Sequence, residues 1–203
     1  MALRCADIFI SLIGLIILLP FLIIIAIWIK FNSRGPLFYK QDRIGQGGTI
    51  FRLIKFRTMM VYSDKLGLLT IGNNDPRITN AGIYLRKYKI DELPQLFNVL
   101  KGDMSMVGPR PEVSKYVDLY SEEQKEILLF RPGITDYASI EYINENELLA
   151  RSENPEKVYV EEIMPRKVDL NMRYLKDRSL KRYLNILFRT FTRMFFDNKH
   201  NNN

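Results

Sequence analysis

The run "IFISLIGLIILLPFLIIIAIWI", residues 8–29, holds 22 residues and no charge. As an α-helix it would be about 33 Å long, close to the hydrocarbon thickness of a bilayer. It has no polar face, which argues for a membrane segment over the core helix of a soluble domain. The apolar run is too long for a signal peptide, and no small-residue cleavage site follows it. Arg4 precedes the segment, whereas Lys30, Arg34, Lys40 and Arg43 follow it. The heavier positive load after the segment holds the main domain in the cytoplasm. Pro20 sits near the middle and removes the backbone hydrogen bond to Ile16. A straight span would carry Met1 to Asp7 to the opposite side, and a hairpin turned at Pro20 would keep both ends cytoplasmic. Backbone physics alone leaves both topologies open.

The 203-residue chain has a formal net charge of +7, unevenly spread. Residues 1–60 carry eight Lys and Arg against Asp7 and Asp42, and the remainder is almost balanced. The basic excess therefore hugs the membrane segment, where it meets anionic headgroups and anionic substrates. Nucleic-acid binding would spread such charge over a folded face with stacking aromatics, so no nucleic acid is expected as a partner. Cys5 is the only cysteine, which rules out a disulfide framework and agrees with a reducing compartment.

Beyond the segment, "LFYKQDRIGQGGTIFRLIKFRTM" (37–59) reads as two strands joined at Gly45, Gly47 and Gly48. The glycines fit a hairpin turn better than a phosphate loop, because no helix follows them directly. Residues 60–80 read as a loop with a turn at Asp75-Pro76, and Gly82 to Ile90 as a short helix. "GPRPE" (108–112) places Pro111 in the first turn of another helix. Ser121 and Gln124 form a capping box for a helix that ends before Arg131-Pro132-Gly133. Leu180, Tyr183, Leu184, Leu187, Phe191 and Met194 make an apolar stripe flanked by Arg178, Arg182, Arg189 and Arg193. That stripe suits a helix packed on the core or one lying in a membrane interface.

The chemistry concentrates in "LRKYKIDELPQLFNVLKGDMSMVGPRPE", residues 85–112. Asp91 and Glu92 stand side by side, with Arg86, Lys87 and Lys89 before them and Lys101 and Arg110 after. One reading is structural: Asp91 as N-cap, Pro94 in the first turn, Leu93, Leu96, Phe97 and Leu100 as the apolar face, and Gly102 as the C-terminal stop. The other is a phosphate-handling site, and the two are compatible, since a helix start offers free N–H groups to anions. Elimination favours the second. His200 in the tail is the only histidine, so neither a Ser–His–Asp nor a Cys–His arrangement has its base. Carboxylates and cations remain, a set suited to phosphoryl transfer with Mg²⁺.

"KFRTM" (55–59), "NDPRIT" (74–79), "LRK" (85–87), "DELPQLFNVLKGDMSMVGPRPE" (91–112) and "RPGIT" (131–135) resemble the bacterial sugar transferase family, the monotopic phosphoglycosyl transferases. The resemblance covers about residues 1–195 and is to the minimal catalytic form, without the N-terminal membrane helices of larger relatives. It implies transfer of a phosphosugar from a nucleotide sugar, a UDP-sugar, to polyprenyl (undecaprenyl) phosphate, with release of UMP. It further implies a covalent aspartyl phosphosugar and Mg²⁺, with Asp91 as nucleophile and Glu92 as partner carboxylate and metal ligand. Arg86, Arg110 and Arg131 match positions that hold phosphates. Lys55 and Arg57 are further candidates, although strand alternation also explains exposed basic residues there. Arg77 is a candidate to organise its loop instead. Pro20 matches the proline that makes the family's membrane helix re-entrant. After "RPGIT", where relatives often carry Gly-Trp-Ala-Gln, this chain has Asp136, Tyr137, Ala138 and Ser139.

The expected architecture is a membrane-associated α+β domain. Residues 1–34 form the re-entrant helix and its flanks, 35–196 the catalytic domain with a small β-hairpin, and 197–203 a disordered tail. The domain is expected on the cytoplasmic face of the bacterial inner membrane, against membrane lipids. Neither the sugar nor the oligomeric state is legible.

Overall fold

In the computed structural model, residues 2–63 and 75–196 are described. Helix α1 (Ala2–Asn32) is followed by strands β1 (Phe38–Ile44) and β2 (Ile50–Phe56). They pair antiparallel from Phe38 opposite Phe56 to Ile44 opposite Ile50. Gly47 and Gly48 turn the hairpin with φ of 68° and 76°, a region where glycine is unstrained. This is the expected hairpin. Residues 64–74 of the expected loop, and the tail from residue 197, lie outside the described residues.

Thr79 caps α2 (Asn80–Lys87) by accepting from Gly82 N. A tight 3₁₀ turn at Ile90–Glu92 leads into α3 (Gln95–Lys101), which Gly102 ends at φ 102°. Strands β3 (Ser105–Val107) and β4 (Gly133–Thr135) pair in parallel, Ser105 opposite Gly133 and Val107 opposite Thr135. Their exits run so close that a Cβ on Gly133 would sit 2.1 Å from Gly108 N, so neither glycine tolerates a side chain. Between them lie α4 (Ser114–Val117) and α5 (Glu122–Lys125), the latter opened by the expected Ser121–Gln124 capping box. Four more helices follow, α6 (Tyr137–Glu141), α7 (Glu145–Ala150), α8 (Pro155–Val158) and α9 (Met164–Lys176). Helix α10 (Leu180–Phe196) closes the described chain.

Helix α1 lies against this domain at both ends. Its buried residues Asp7, Ser11, Leu15, Leu22, Ile25 and Ile29 recur at helical spacing and form one face. Ile16, Ile17, Ile24 and Phe31 on the rest of the surface are exposed. At the N-terminal end Arg4 donates to the carbonyls of Val99 and Leu100 at 2.7 and 3.1 Å. Asp7 Oδ1 accepts from Ser105 Oγ, Met106 N and Tyr183 Oη, each at 2.8 Å. At the far end Asn32 Oδ1 accepts from Ala81 N at 3.1 Å. Pro20 lies within α1, whose helical backbone continues on both sides of it. One missing hydrogen bond is tolerated here because Leu15, Leu22 and Ile25 hold both sides of the proline to the domain core.

Two expectations are corrected. Helix α4 starts at Ser114, not at Pro111, because residues 111–112 run alongside β1: Ile44 N donates to Glu112 O and Arg43 to Pro111 O, both at 2.9 Å. The buried edge of α3 is Gln95, Leu96, Asn98 and Val99, with Phe97 exposed. Asn98 grips strand β2 there, accepting from Ile54 N and donating to Arg52 O, so polar residues occupy the inner face. The apolar stripe of α10 divides between the two readings open for it: Tyr183 is fully buried in the main core with Leu187 packed against it, whereas Leu180, Leu184 and Phe191 are exposed.

Candidate active site

The carboxylate pair is presented by a sharp reversal after α2. Lys89 adopts a left-handed conformation at φ 55°, a strain of roughly 1–2 kcal/mol for a residue with a Cβ. The 3₁₀ turn that follows carries Asp91 inward, to 6% exposure. Asp91 is not the helix cap expected of it: α3 is capped at Pro94, and no side-chain bond is made there. Among the described residues the Asp91 carboxylate has no hydrogen-bond or ion-pair partner.

Glu92 is the opposite case. Its Oε1 accepts from Lys55 Nζ at 3.0 Å and from Arg110 Nη2 at 2.5 Å, and its Oε2 from Arg110 Nη1 at 3.1 Å. The fork of Arg110 fixes the carboxylate in plane, a geometry lysine alone would not enforce. Lys55 comes from the end of β2 and Arg110 from the segment after β3. Three separate stretches of chain thus meet at Glu92.

The two neighbours titrate in opposite directions. Burial opposes the charge on Glu92, but Arg110 and Lys55 outweigh it and hold its carboxyl well below the usual range. Burial pushes Asp91 up, and the Glu92 charge adds to that push against the pull of Lys55, Lys89 and Arg86. Glu92 in turn raises Arg110, while burial lowers Lys55. Environments that drive adjacent carboxyls apart divide their roles. Glu92 is the permanent anion that organises cations, and Asp91 the more basic oxygen left unengaged.

The other expected cations divide between site and scaffold. Arg86, in the last turn of α2, is lowered by burial, and Asp91 is foremost among the charges that oppose this. It belongs to the field around Asp91. Arg57 points elsewhere: its guanidinium binds the carbonyls of Ser33 and Arg34 and the hydroxyl of Ser33, clamping the end of α1. Arg131 lies just before β4, half-buried, and its side chain has no hydrogen bond or ion pair among the described residues. Arg77 forks onto Asp75 at 2.9 and 2.6 Å and organises its turn, as expected.

Asp136 was seen in the sequence only as a departure from the resemblance. It is fully buried, caps α6 through Ser139 N, and accepts from Arg110 N at 3.0 Å. An acidic residue three positions before Ser139 signals a cap, but no local pattern points to Arg110, 26 positions away.

No group of three or more acidic, cysteine or histidine side chains is present among the described residues, so no all-protein metal cage exists there. A hard cation that completes its shell from substrate phosphates needs only one or two carboxylates. An ionised carboxylate offers about four acceptor positions. Glu92 uses three of them and Asp91 none, so the pair fits such an ion.

The family model described as bacterial sugar transferase matches residues 1–197. The chain is 41% identical over 140 residues to the UDP-N-acetylgalactosamine-undecaprenyl-phosphate N-acetylgalactosaminephosphotransferase of Aeromonas hydrophila, which covers 68% of this chain and 33% of that protein. It is 38% identical over 147 residues to the exopolysaccharide production protein ExoY of Sinorhizobium fredii (strain NBRC 101917 / NGR234), covering 65% of each. It is 33% identical over 195 residues to the UDP-glucose:undecaprenyl-phosphate glucose-1-phosphate transferase of Escherichia coli (strain K12), covering 95% of this chain and 40% of that one. The chain thus spans well under half the length of two of these relatives and about two thirds of the third. With the family model matched from α1 through α10, this chain belongs to the bacterial sugar transferase family.

Proposed function

We propose that the protein transfers a phosphosugar from a UDP-sugar to undecaprenyl phosphate, giving undecaprenyl diphosphate sugar and UMP. The reading rests on one observation above all: a buried, unengaged Asp91 beside a Glu92 that Arg110 and Lys55 hold ionised. Relatives named for this reaction with glucose and with N-acetylgalactosamine support it.

In the first step an Asp91 oxygen attacks the sugar-bearing phosphorus. The bond to the bridging oxygen breaks, UMP leaves with that electron pair, and an aspartyl phosphosugar forms. In the second step a phosphate oxygen of undecaprenyl phosphate attacks the same phosphorus and releases Asp91 as the carboxylate. No proton transfer is required, because nucleophile, acceptor and leaving group are all anions. That explains how a site without histidine serves the reaction. Arg86, Arg110 and Lys55 offset the charge of the diphosphate, and Arg131, just before β4 and without a partner among the described residues, is a further cation for a phosphate. Mg²⁺ held by Glu92 and Asp91 would neutralise the diphosphate and lower the cost of charge transfer to the leaving UMP. The exposed apolar surface of α1 supports a site beside the lipid substrate, and the basic flanks support a domain on the cytoplasmic face of the inner membrane.

The test is a panel of UDP-sugars and other sugar nucleotides incubated with undecaprenyl phosphate in detergent. UMP release matched by a lipid-linked product is expected for at least one UDP-sugar. Lipid-independent hydrolysis, or no release across the panel, would overturn the reading.

A further inference from the structure

We propose that Asp136 is a positioning residue for Arg110, and through Arg110 for the carboxylate pair. Arg110 stands between Pro109 and Pro111, neither of which has a backbone N–H. The Arg110 amide is therefore the only backbone donor of the Pro-Arg-Pro unit. Each proline also confines the residue before it to extended conformations, so the tripeptide turns as a stiff piece. Whatever holds that single amide sets the direction of the guanidinium.

Asp136 holds it. The parallel pairing of β3 and β4 brings the residues after each strand side by side, with Gly108 N donating to Thr135 O at 3.0 Å. Asp136 Oδ2 takes Arg110 N at 3.0 Å and Asn171 Nδ2, from α9, at 2.7 Å. Its Oδ1 takes Ser139 N at 2.5 Å. Donors from three segments fix a carboxylate that solvent does not reach. The chain of contacts then runs from α9 through Asp136 to the Arg110 amide, and from its guanidinium to both oxygens of Glu92. Asp136 touches neither Asp91 nor Glu92, so it acts by aiming.

The kinetic part of this inference rests on the proposed reaction; the structural part does not. Asp136→Asn keeps the size but turns one acceptor into a donor. It should lower the melting temperature and cut kcat by roughly 10–100-fold, the scale of an ångström-sized misplacement, with KM for the sugar nucleotide within about threefold. Asp136→Asn combined with Asn171→Asp pairs donor with acceptor again at α9 and leaves Ser139 N satisfied. Only the Arg110 amide then faces an NH₂ group. The double variant should regain melting temperature while kcat stays low. In protein labelled with ¹⁵N-arginine, the Arg110 Nη–H signal of the groups that bond Glu92 should be slowly exchanging in the native form and lose that protection in both variants. Recovery of kcat together with stability in the double variant would show a merely structural tie, and an unchanged Arg110 signal in both variants would equally overturn the proposal. Loss of the Arg110 signal's protection, in a protein whose native form releases no nucleoside monophosphate from any sugar nucleotide, would overturn the reaction and leave the positioning role intact.

Discussion

At the scale of single residues, the site works by giving two neighbouring carboxylates different surroundings. Asp91→Asn keeps shape but removes the attacking anion, so turnover should fall by about 10³-fold or more. A sugar nucleotide labelled at the β-phosphorus should leave a protein adduct on the native chain and none on the variant. Substantial turnover by a clean preparation of the variant would refute Asp91 as nucleophile. Asp91 must be ionised to attack, and burial with the Glu92 charge beside it raises its pKa. Activity should therefore decline on acidification at a pH above the ordinary aspartate value of about 4. A kcat/KM profile flat down to that value would contradict the assignment. Chelation should abolish turnover and added Mg²⁺ restore it, with Glu92→Gln weakening the metal dependence as well as the rate. Full activity in excess chelator would remove the metal from the reaction.

At the scale of elements, α1 is built as much for docking as for lipid. Its inner face ends in Asp7, which is 2% exposed and gathers donors from β3 and α10. Such a buried acid beside an uncharged 22-residue run is costly unless hydrogen bonds compensate its charge, and here three donors converge on Oδ1. Asp7→Asn halves the acceptor capacity and removes the charge that strengthens those bonds. It should destabilise the micelle-bound protein by about 1–3 kcal/mol, read as a lower melting temperature. An unchanged melting temperature would mean that the latch contributes nothing. The Asn98 side chain plays the matching part for α3, replacing apolar packing with two bonds to the backbone of β2.

At the scale of the whole molecule, both ends of α1 are held by one domain, Arg4 and Asp7 at one end and Asn32 and Ser33 at the other. A straight span would strip Arg4 and Asp7 of these partners and move both charges across the bilayer, at a cost of several kcal/mol. The N-terminus and the catalytic domain should therefore share a side. Cysteine placed at Ala2 in a Cys5→Ser background should resist an impermeant thiol reagent in intact spheroplasts and react after permeabilisation. Labelling in intact spheroplasts would establish a spanning helix.

The amino-acid sequence by itself determined the features whose signals are local. An uncharged run of 22 residues, a glycine-turned hairpin, a capping box four residues long and an adjacent acid pair are each complete within one short stretch. Partner choice among the cations was decided only by the tertiary structure. Lys55 and Arg57 share a strand face by alternation, and both looked like surface residues or phosphate ligands. Strand β2 ends at Phe56, so Lys55 stays on the sheet and meets Glu92, while Arg57 turns away to the end of α1. Asp91 looked like a helix cap because its neighbours fit one, yet the left-handed Lys89 swings the turn inward and leaves the carboxylate without a partner. The role of Asp136 depends on a contact 26 residues away, made when parallel strands β3 and β4 come together, and that of Asp7 on a contact 98 residues away, made when α1 docks on β3. Periodicity reports which face of an element is apolar; what that face meets is set by packing between elements, which no single stretch encodes.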